Sequence, residues 1–175
     1  AFAALVSSGG APRASIYMGK RDNQSAEQIL GNCFVLQIAV SFILTAVLLI
    51  WSEDILLAFG ASENTISYAV DYMHIYAIGT LFVQLTLGMN AFITAQGFTT
   101  TSMVSVLIGA ICNITLDPIF IFGFHMGVKG AALATVLSQA VSTIWVIFFL
   151  CGKKTHLHLR KKYMRLEPKV FVPCV

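Results

Sequence analysis

Four stretches of this chain run for more than twenty residues with almost no charge. Ile29–Trp51 covers 23 positions and Gly130–Cys151 covers 22, neither with a charged side chain. Met73–Ala95 is 23 residues long and holds only the titratable His74. Thr101–Gly123 is as long and holds a single charge, Asp117. About 20 apolar residues in a helix cross a hydrocarbon core. A soluble helical bundle would repeat a polar face at roughly 3.6-residue spacing. These stretches have no charged face, so the pattern predicts four membrane helices. Tyr68–Tyr72 extends the Met73–Ala95 helix as an interfacial turn, with Asp71 solvated or at the interface.

The opening segment, Ala1–Met18, is apolar but rich in small residues, and Ser7-Ser8-Gly9-Gly10-Ala11-Pro12 interrupts it. It predicts the latter part of a fifth membrane helix, kinked near Pro12. Small residues also let helices approach closely in lipid. The expected fold class is therefore an all-α integral membrane protein, a polytopic bundle with about five transmembrane helices in this chain. The chain starts at Ala1 amid apolar sequence and shows no basic region followed by a cleavage site. It reads as an internal piece of a longer protein, and no signal peptide is argued.

The connections differ in charge. Gly19–Ala26 carries Lys20 and Arg21, whereas Ser52–Asn64 carries Glu53, Asp54 and Glu63 with no Lys or Arg. Gln96–Thr100 is uncharged, and Phe124–Lys129 holds Lys129 and His125. Gly152–Lys169 is basic, with Lys153, Lys154, Arg160, Lys161, Lys162, Arg165 and Lys169. If sides alternate, Lys20, Arg21 and the basic tail share one face and Lys129 lies on the other. The Lys and Arg bias makes the first face cytoplasmic.

Composition agrees with the pattern: 57% of the 175 residues are hydrophobic and 11% charged, about half the charged share of ordinary soluble domains. The net charge of +3 matters less than its position. Beside membrane spans, the basic tail reads as a juxtamembrane linker touching anionic headgroups rather than a nucleic-acid site. Cys33, Cys112, Cys151 and Cys174 form no C-x-x-C pair and read as small apolar residues. His156 and His158 lack further ligands nearby and read as loop residues. No phosphate loop, nucleophile constellation or zinc spacing is visible, so nothing argues for an enzyme or a cofactor.

The candidate chemistry lies inside the spans. A carboxylate at membrane depth is costly and usually faces a bundle interior or a water-filled cavity. Asp117 shares a four-residue stripe with Ser105, Gly109 and Asn113. Met73–Ala95 carries Thr86, Asn90 and Thr94 at the same spacing, and Gly130–Cys151 carries Thr135 and Gln139 with Ser138 and Ser142 adjacent. Facing one another, these stripes offer oxygen ligands for a hard cation or a relay for a proton. They also suit plain interhelical hydrogen bonding. Asp117 followed by Pro118 is in addition a good N-cap and first-turn pair, able to restart a broken helix. A helix restarted at membrane depth is itself common in transporter sites.

Asn113-Ile-Thr-Leu-Asp117-Pro-Ile-Phe-Ile-Phe-Gly123, Gly127 and Gly130-Ala-Ala-Leu-Ala-Thr135-Val-Leu-Ser-Gln139 together resemble the multidrug and toxic compound extrusion (MATE) family. Ala91-Phe92 with Ala95-Gln96-Gly97, Gly10–Ile16 with Met18-Gly19-Lys20, and Phe59–Glu63 are shorter matches. Relatives often have a leucine before that loop's glycine, so Phe59 is a mild departure. The likeness covers about residues 7–152.

The resemblance implies twelve helices in two six-helix lobes. Residues 1–152 would be a partial amino-terminal lobe, the end of the family's helix two through helix six. Residues 153–175 would be a truncated cytoplasmic inter-lobe linker. The family members are antiporters that export organic, often cationic, compounds in exchange for protons or sodium ions by alternating access. The implied partners are small organic substrates, the lipid bilayer and the missing carboxy-terminal lobe, in a multi-pass protein of the plasma membrane, the bacterial inner membrane. Asp117 and Asn113 map onto the family's cation or proton site, with Thr135 contributing and Asn90 a looser match. Gln139 and Thr86 would line the cavity, and Pro118 and Pro12 would break or hinge their helices. A sodium ion is the only metal implied, and no other cofactor is. Two further classes stay open: a lipid-linked precursor flippase of a related superfamily, and a non-transporting membrane scaffold. The flippase would be expected to carry several basic residues within its helices, whereas Arg13 alone lies near membrane depth here.

Overall fold

A computed structural model describes residues 2–60, 65–152 and 155–159. The described elements are helices α1 (Phe2–Gly19), α2 (Asn23–Ile50), α3 (Ser52–Ala58), α4 (Ile66–Ala95), α5 (Thr99–Pro118), a π-helical turn (Ile119–Gly123) and α6 (Gly127–Cys151). Four helical segments are long and apolar enough to cross a membrane: Asn23–Ile50, Ile66–Ala95, Thr99–Gly123 and Gly127–Cys151. Each covers one of the four charge-poor stretches of the sequence, apart from Trp51, which lies one residue past α2.

Local chemistry sets the helix ends. Asp22 caps α2, its carboxylate accepting from the Ser25 amide at 3.1 Å and the Ser25 hydroxyl at 2.6 Å. Those bonds hold the Asp22 carboxyl below its ordinary range. α4 ends in a Schellman turn: Gly97 N donates to Thr94 O at 2.9 Å and Phe98 N to Ile93 O at 3.2 Å. Gly97 holds φ at +88° there, a conformation glycine adopts without a Cβ penalty. The acidic connection after α2 is partly helical: Glu53 and Asp54 sit in the first turn of α3, where the helix dipole favours negative charge.

The bundle is built around α4. Met89, Phe92 and Ile93 of α4 pack with Ala11 and Ala14 of α1, Leu30 and Cys33 of α2, and Val146 and Leu150 of α6. Large apolar side chains also point outward, among them Phe42 and Ile50 of α2, Ile111 and Ile114 of α5, and Ile144 and Phe148 of α6. A protein in water rarely leaves so much apolar surface open; in a bilayer this surface meets lipid. The molecule is an all-helical, multi-pass membrane bundle.

α1 runs as one helix through Pro12. The proline removes one backbone donor without ending the helix. At one end of the bundle, the α4–α5 turn meets residues 155–159, where Thr155 Oγ1 donates to Gln96 Oε1 at 2.7 Å. At the other, Lys129 Nζ lies 3.0 Å from Asp71 Oδ2. The expected separation of Lys129 from the tail is thus seen, and Asp71 is paired rather than simply solvated. Of the stretch 153–175, only 155–159 falls within the described residues; all seven of its Lys and Arg side chains, and Cys174, lie outside them.

Candidate cation site

The α5 stripe lies along α6. Ser142 Oγ donates to Ser105 O at 2.6 Å. Gly109 leaves its side open, and a Cβ there would lie 3.5 Å from Ser142 Cβ. One turn on, Asn113 Nδ2 donates to Thr135 Oγ1 at 3.4 Å. The Thr135 proton is directed elsewhere, to Ala131 O at 3.0 Å, which leaves the hydroxyl oxygen free to accept. The helices run antiparallel, so the contact passes from Ser105–Ser142 to Asn113–Thr135 as α5 proceeds.

Asp117 lies one turn further on the same face, about 6 Å along the axis from Asn113. Its Oδ1 is shielded from solvent and has no hydrogen-bond partner among the described residues. A sheltered carboxylate oxygen without a partner calls for an explanation such as a bound water or ion. Asp117 sits inside α5 rather than at a helix start, and no side-chain cap bond precedes the turn that follows. The cap-and-restart geometry suggested by Asp117-Pro118 is therefore absent.

In its place the helix widens. Pro118 has no amide proton to give, and Ile119–Gly123 forms a π-helical turn, with Phe124 N bonded to Ile119 O at 3.0 Å. Such turns recur at functional sites in helices. α6 is seated on this one: a Cβ at Gly130 would lie 2.9 Å from Phe120 C and O, so only glycine lets the two backbones meet.

The other stripe residues are placed differently. Asn90 Nδ2 donates to Ser105 Oγ at 2.7 Å, two turns along α5 from Asn113. Thr86 Oγ1 is 2.7 Å from Thr143 Oγ1, and Thr143 reaches Phe82 O at 3.0 Å. Thr86 and Asn90 are both buried within an α4–α5–α6 polar seam. Gln139 is half-buried one turn from Thr135; its backbone oxygen accepts from Thr143 at 2.7 Å. Among the described residues, no three His, Cys, Asp or Glu side chains gather into a metal cluster. One carboxylate, one amide and one hydroxyl suit a proton or a hard monovalent cation.

Sequence reasoning passed over three polar side chains. Gln37 of α2 is 1% exposed, both its amide atoms lack a partner, and it fills the notch left by Gly88 of α4. Its signal was an amide in an otherwise apolar stretch. Glu27 is buried near the start of α2, and Gln96 gathers the chain after α6. Neither stands out in sequence, since each adjoins a polar connection.

A family model described as MatE matches residues 1–119. The chain belongs to the MatE family. Among its MatE relatives, a multidrug export protein MepA of Staphylococcus haemolyticus is 30% identical over 165 residues, 94% of this chain and 36% of the relative. A MepA of Staphylococcus aureus is 31% identical over 134 residues, 76% of this chain and 30% of the relative. The chain thus spans about a third of the length of the curated relatives it matches. Its fold is similar to an inward-facing multidrug resistance MATE transporter, with TM-score 0.91, 22% identity, and 98% of this chain and 39% of that one covered. An outward-facing structure gives 0.89, 23%, 98% and 38%.

Proposed function

We propose that this chain is part of the amino-terminal lobe of an antiporter that exports organic, often cationic, compounds in exchange for protons or sodium ions. The observation that carries the reading is the unpartnered Asp117 oxygen, sheltered one turn from the Asn113–Thr135 bond. The names of the MepA relatives support multidrug export as the task. The whole protein carries the activity, and the second lobe completes the path for substrate in the plasma membrane.

In this reading Asp117 is the group that takes up the coupling ion. A proton or sodium ion arriving there neutralises a charge that the membrane interior disfavours. Asn113 and Thr135 supply further oxygens, and Gln139 lies one turn from Thr135 on α6. A ligand shifts a conformational equilibrium only by its differential affinity for the two states. The site acts as a switch if one state leaves Asp117 open to the ion and the other closes α5 against α6. The π-helical turn after Pro118 offers a place for that change, since its ladder is already irregular. Asn90 and Thr86 hold α4 to its neighbours and position the site from behind. The similar fit to inward- and outward-facing structures supports a lobe that keeps its packing while it rocks.

The test is drug efflux from cells expressing the full-length protein, wild type against Asp117→Asn, with sodium and pH varied separately. Loss of efflux at equal membrane expression is expected, and the gradient on which wild-type efflux depends identifies the ion. Unchanged efflux by Asp117→Asn sinks the assignment.

A further inference from the structure

After α6 the chain does not leave the bundle. Thr155–Leu159 folds back across the end formed by α1, α2 and α4. Gln96 Oε1 accepts three bonds: from Thr155 Oγ1 at 2.7 Å, His156 N at 2.9 Å and Leu157 N at 2.9 Å. On the other side, Glu27 Oε1 accepts from His158 N at 3.1 Å. Leu159 N returns to Leu150 O at 3.1 Å. Between these bonds, Leu157 is fully buried in the same core cluster as Leu30 and Phe92. The His156 ring stacks on Phe98, centroids 5.3 Å apart.

A loop that merely connects two lobes would leave its amides to water. Here three consecutive amides are taken by side-chain acceptors from two different helices, and a leucine is driven into the core between them. Burying a leucine removes apolar surface from water, and each bond satisfies an amide that would otherwise be open. The segment has the contacts of an integral part of the bundle.

We infer that Thr155–Leu159 is a strap, clasped by Gln96 and Glu27, that ties the chain continuing beyond residue 159 to α2 and α4 as well as to the end of α6. Gln96 is a positioning residue: its side chain bonds Phe92 O, Thr155, His156 and Leu157 and not Asn113, Asp117 or Thr135. Its acceptor oxygen fixes where the following segment starts, and so where force from that segment enters the lobe. A pull on the segment then acts on α4, which the Asn90–Ser105 contact connects to α5.

The test has two arms on the full-length protein. Hydrogen exchange is read at the amides of His156, Leu157 and His158. In the wild type these exchange much more slowly than in a free peptide, and Gln96→Ala speeds His156 and Leu157 about tenfold or more. Gln96→Glu keeps an acceptor oxygen and restores protection. Leu157→Ala, which leaves Gln96 intact, loosens the same amides and serves if Gln96→Ala fails to fold. The second arm is efflux: Gln96→Ala lowers it at equal expression and Gln96→Glu keeps it. This arm rests on the transport reading above, whereas the exchange arm does not. Free-peptide exchange in the wild type, or protection unchanged by both Gln96→Ala and Leu157→Ala, overturns the strap. Lost protection with full efflux overturns its mechanical role.

Discussion

The Ser105 hydroxyl lies 2.7 Å from Asn90 Nδ2 and 2.9 Å from Asn90 Oδ1, so the amide of α4 is engaged across the α4–α5 interface and sealed from solvent. Ser105 in turn presents its backbone oxygen to Ser142 of α6. One serine thus joins three helices, and Asn90 belongs to that junction. Removing the hydroxyl leaves a buried amide short of a partner, which costs more than the bond itself was worth.

Ser105→Ala should therefore lower the stability of the full-length protein by about 1 kcal/mol, the scale of interhelical bonds in membranes. Thermal unfolding in detergent reads this as a drop in Tm. Efflux per folded molecule should change little. If Ser105→Ala leaves Tm alone and abolishes efflux, the seam belongs to the ion path and Asn90 with it.

Pro118→Ala should return an amide donor to α5 and let the π-helical turn relax toward regular helix. A proline inside a helix costs about 3 kcal/mol, part of which the widened turn already absorbs. The expected result is a higher Tm with slower efflux. A lower Tm would mean that the proline ring is packed in place, and would argue against the turn as a yielding point.

The Asp71–Lys129 pair ties the second turn of α4 to the first turn of α6 at 3.0 Å, with both side chains about half exposed. Exposed pairs contribute roughly 0–1 kcal/mol and weaken with salt. Asp71→Asn should shift Tm only slightly at low salt and not at all at high salt. A large shift that persists in salt would point to a role beyond the pair.

The Asp22 carboxyl is held down by its bonds to Ser25. Its folded value lies below the unfolded one, so its contribution to the α2 cap is complete above the unfolded value. It fades as pH falls through the folded value. Acidification should release the first turn of α2 only at the low end of the carboxylate range. The Ser25 amide shift, followed by NMR against pH, should titrate below a free Asp peptide. A midpoint at or above that of the peptide would remove the cap from the account.

Some expectations depended on local composition and others on orientation. Pro12 illustrates the difference. Its ring rules out one hydrogen bond wherever it sits, and α1 continues through it without a break. Asp117-Pro118 has the composition of a helix start, but the backbone before it is already helical and packed on α6. At Asp117-Pro118 tertiary packing outweighs the local propensity.

The four long apolar spans, their approximate limits and the placement of Lys129 at the opposite end of α6 from residues 155–159 were determined by the sequence alone. A bilayer acts on each twenty-residue window independently, through the cost of burying charge and open backbone. What faces what was decided only by the tertiary structure. The stripes Thr86–Asn90–Thr94 and Ser105–Gly109–Asn113–Asp117 have the same spacing, and spacing defines a face but not its partner. The rotation of each helix follows from packing against several neighbours at once, with Gly130 letting α6 meet the Phe120 backbone where a Cβ would hold it away. That packing sets Asn90 on Ser105, Asn113 on Thr135, and leaves the sheltered Asp117 oxygen without a protein partner.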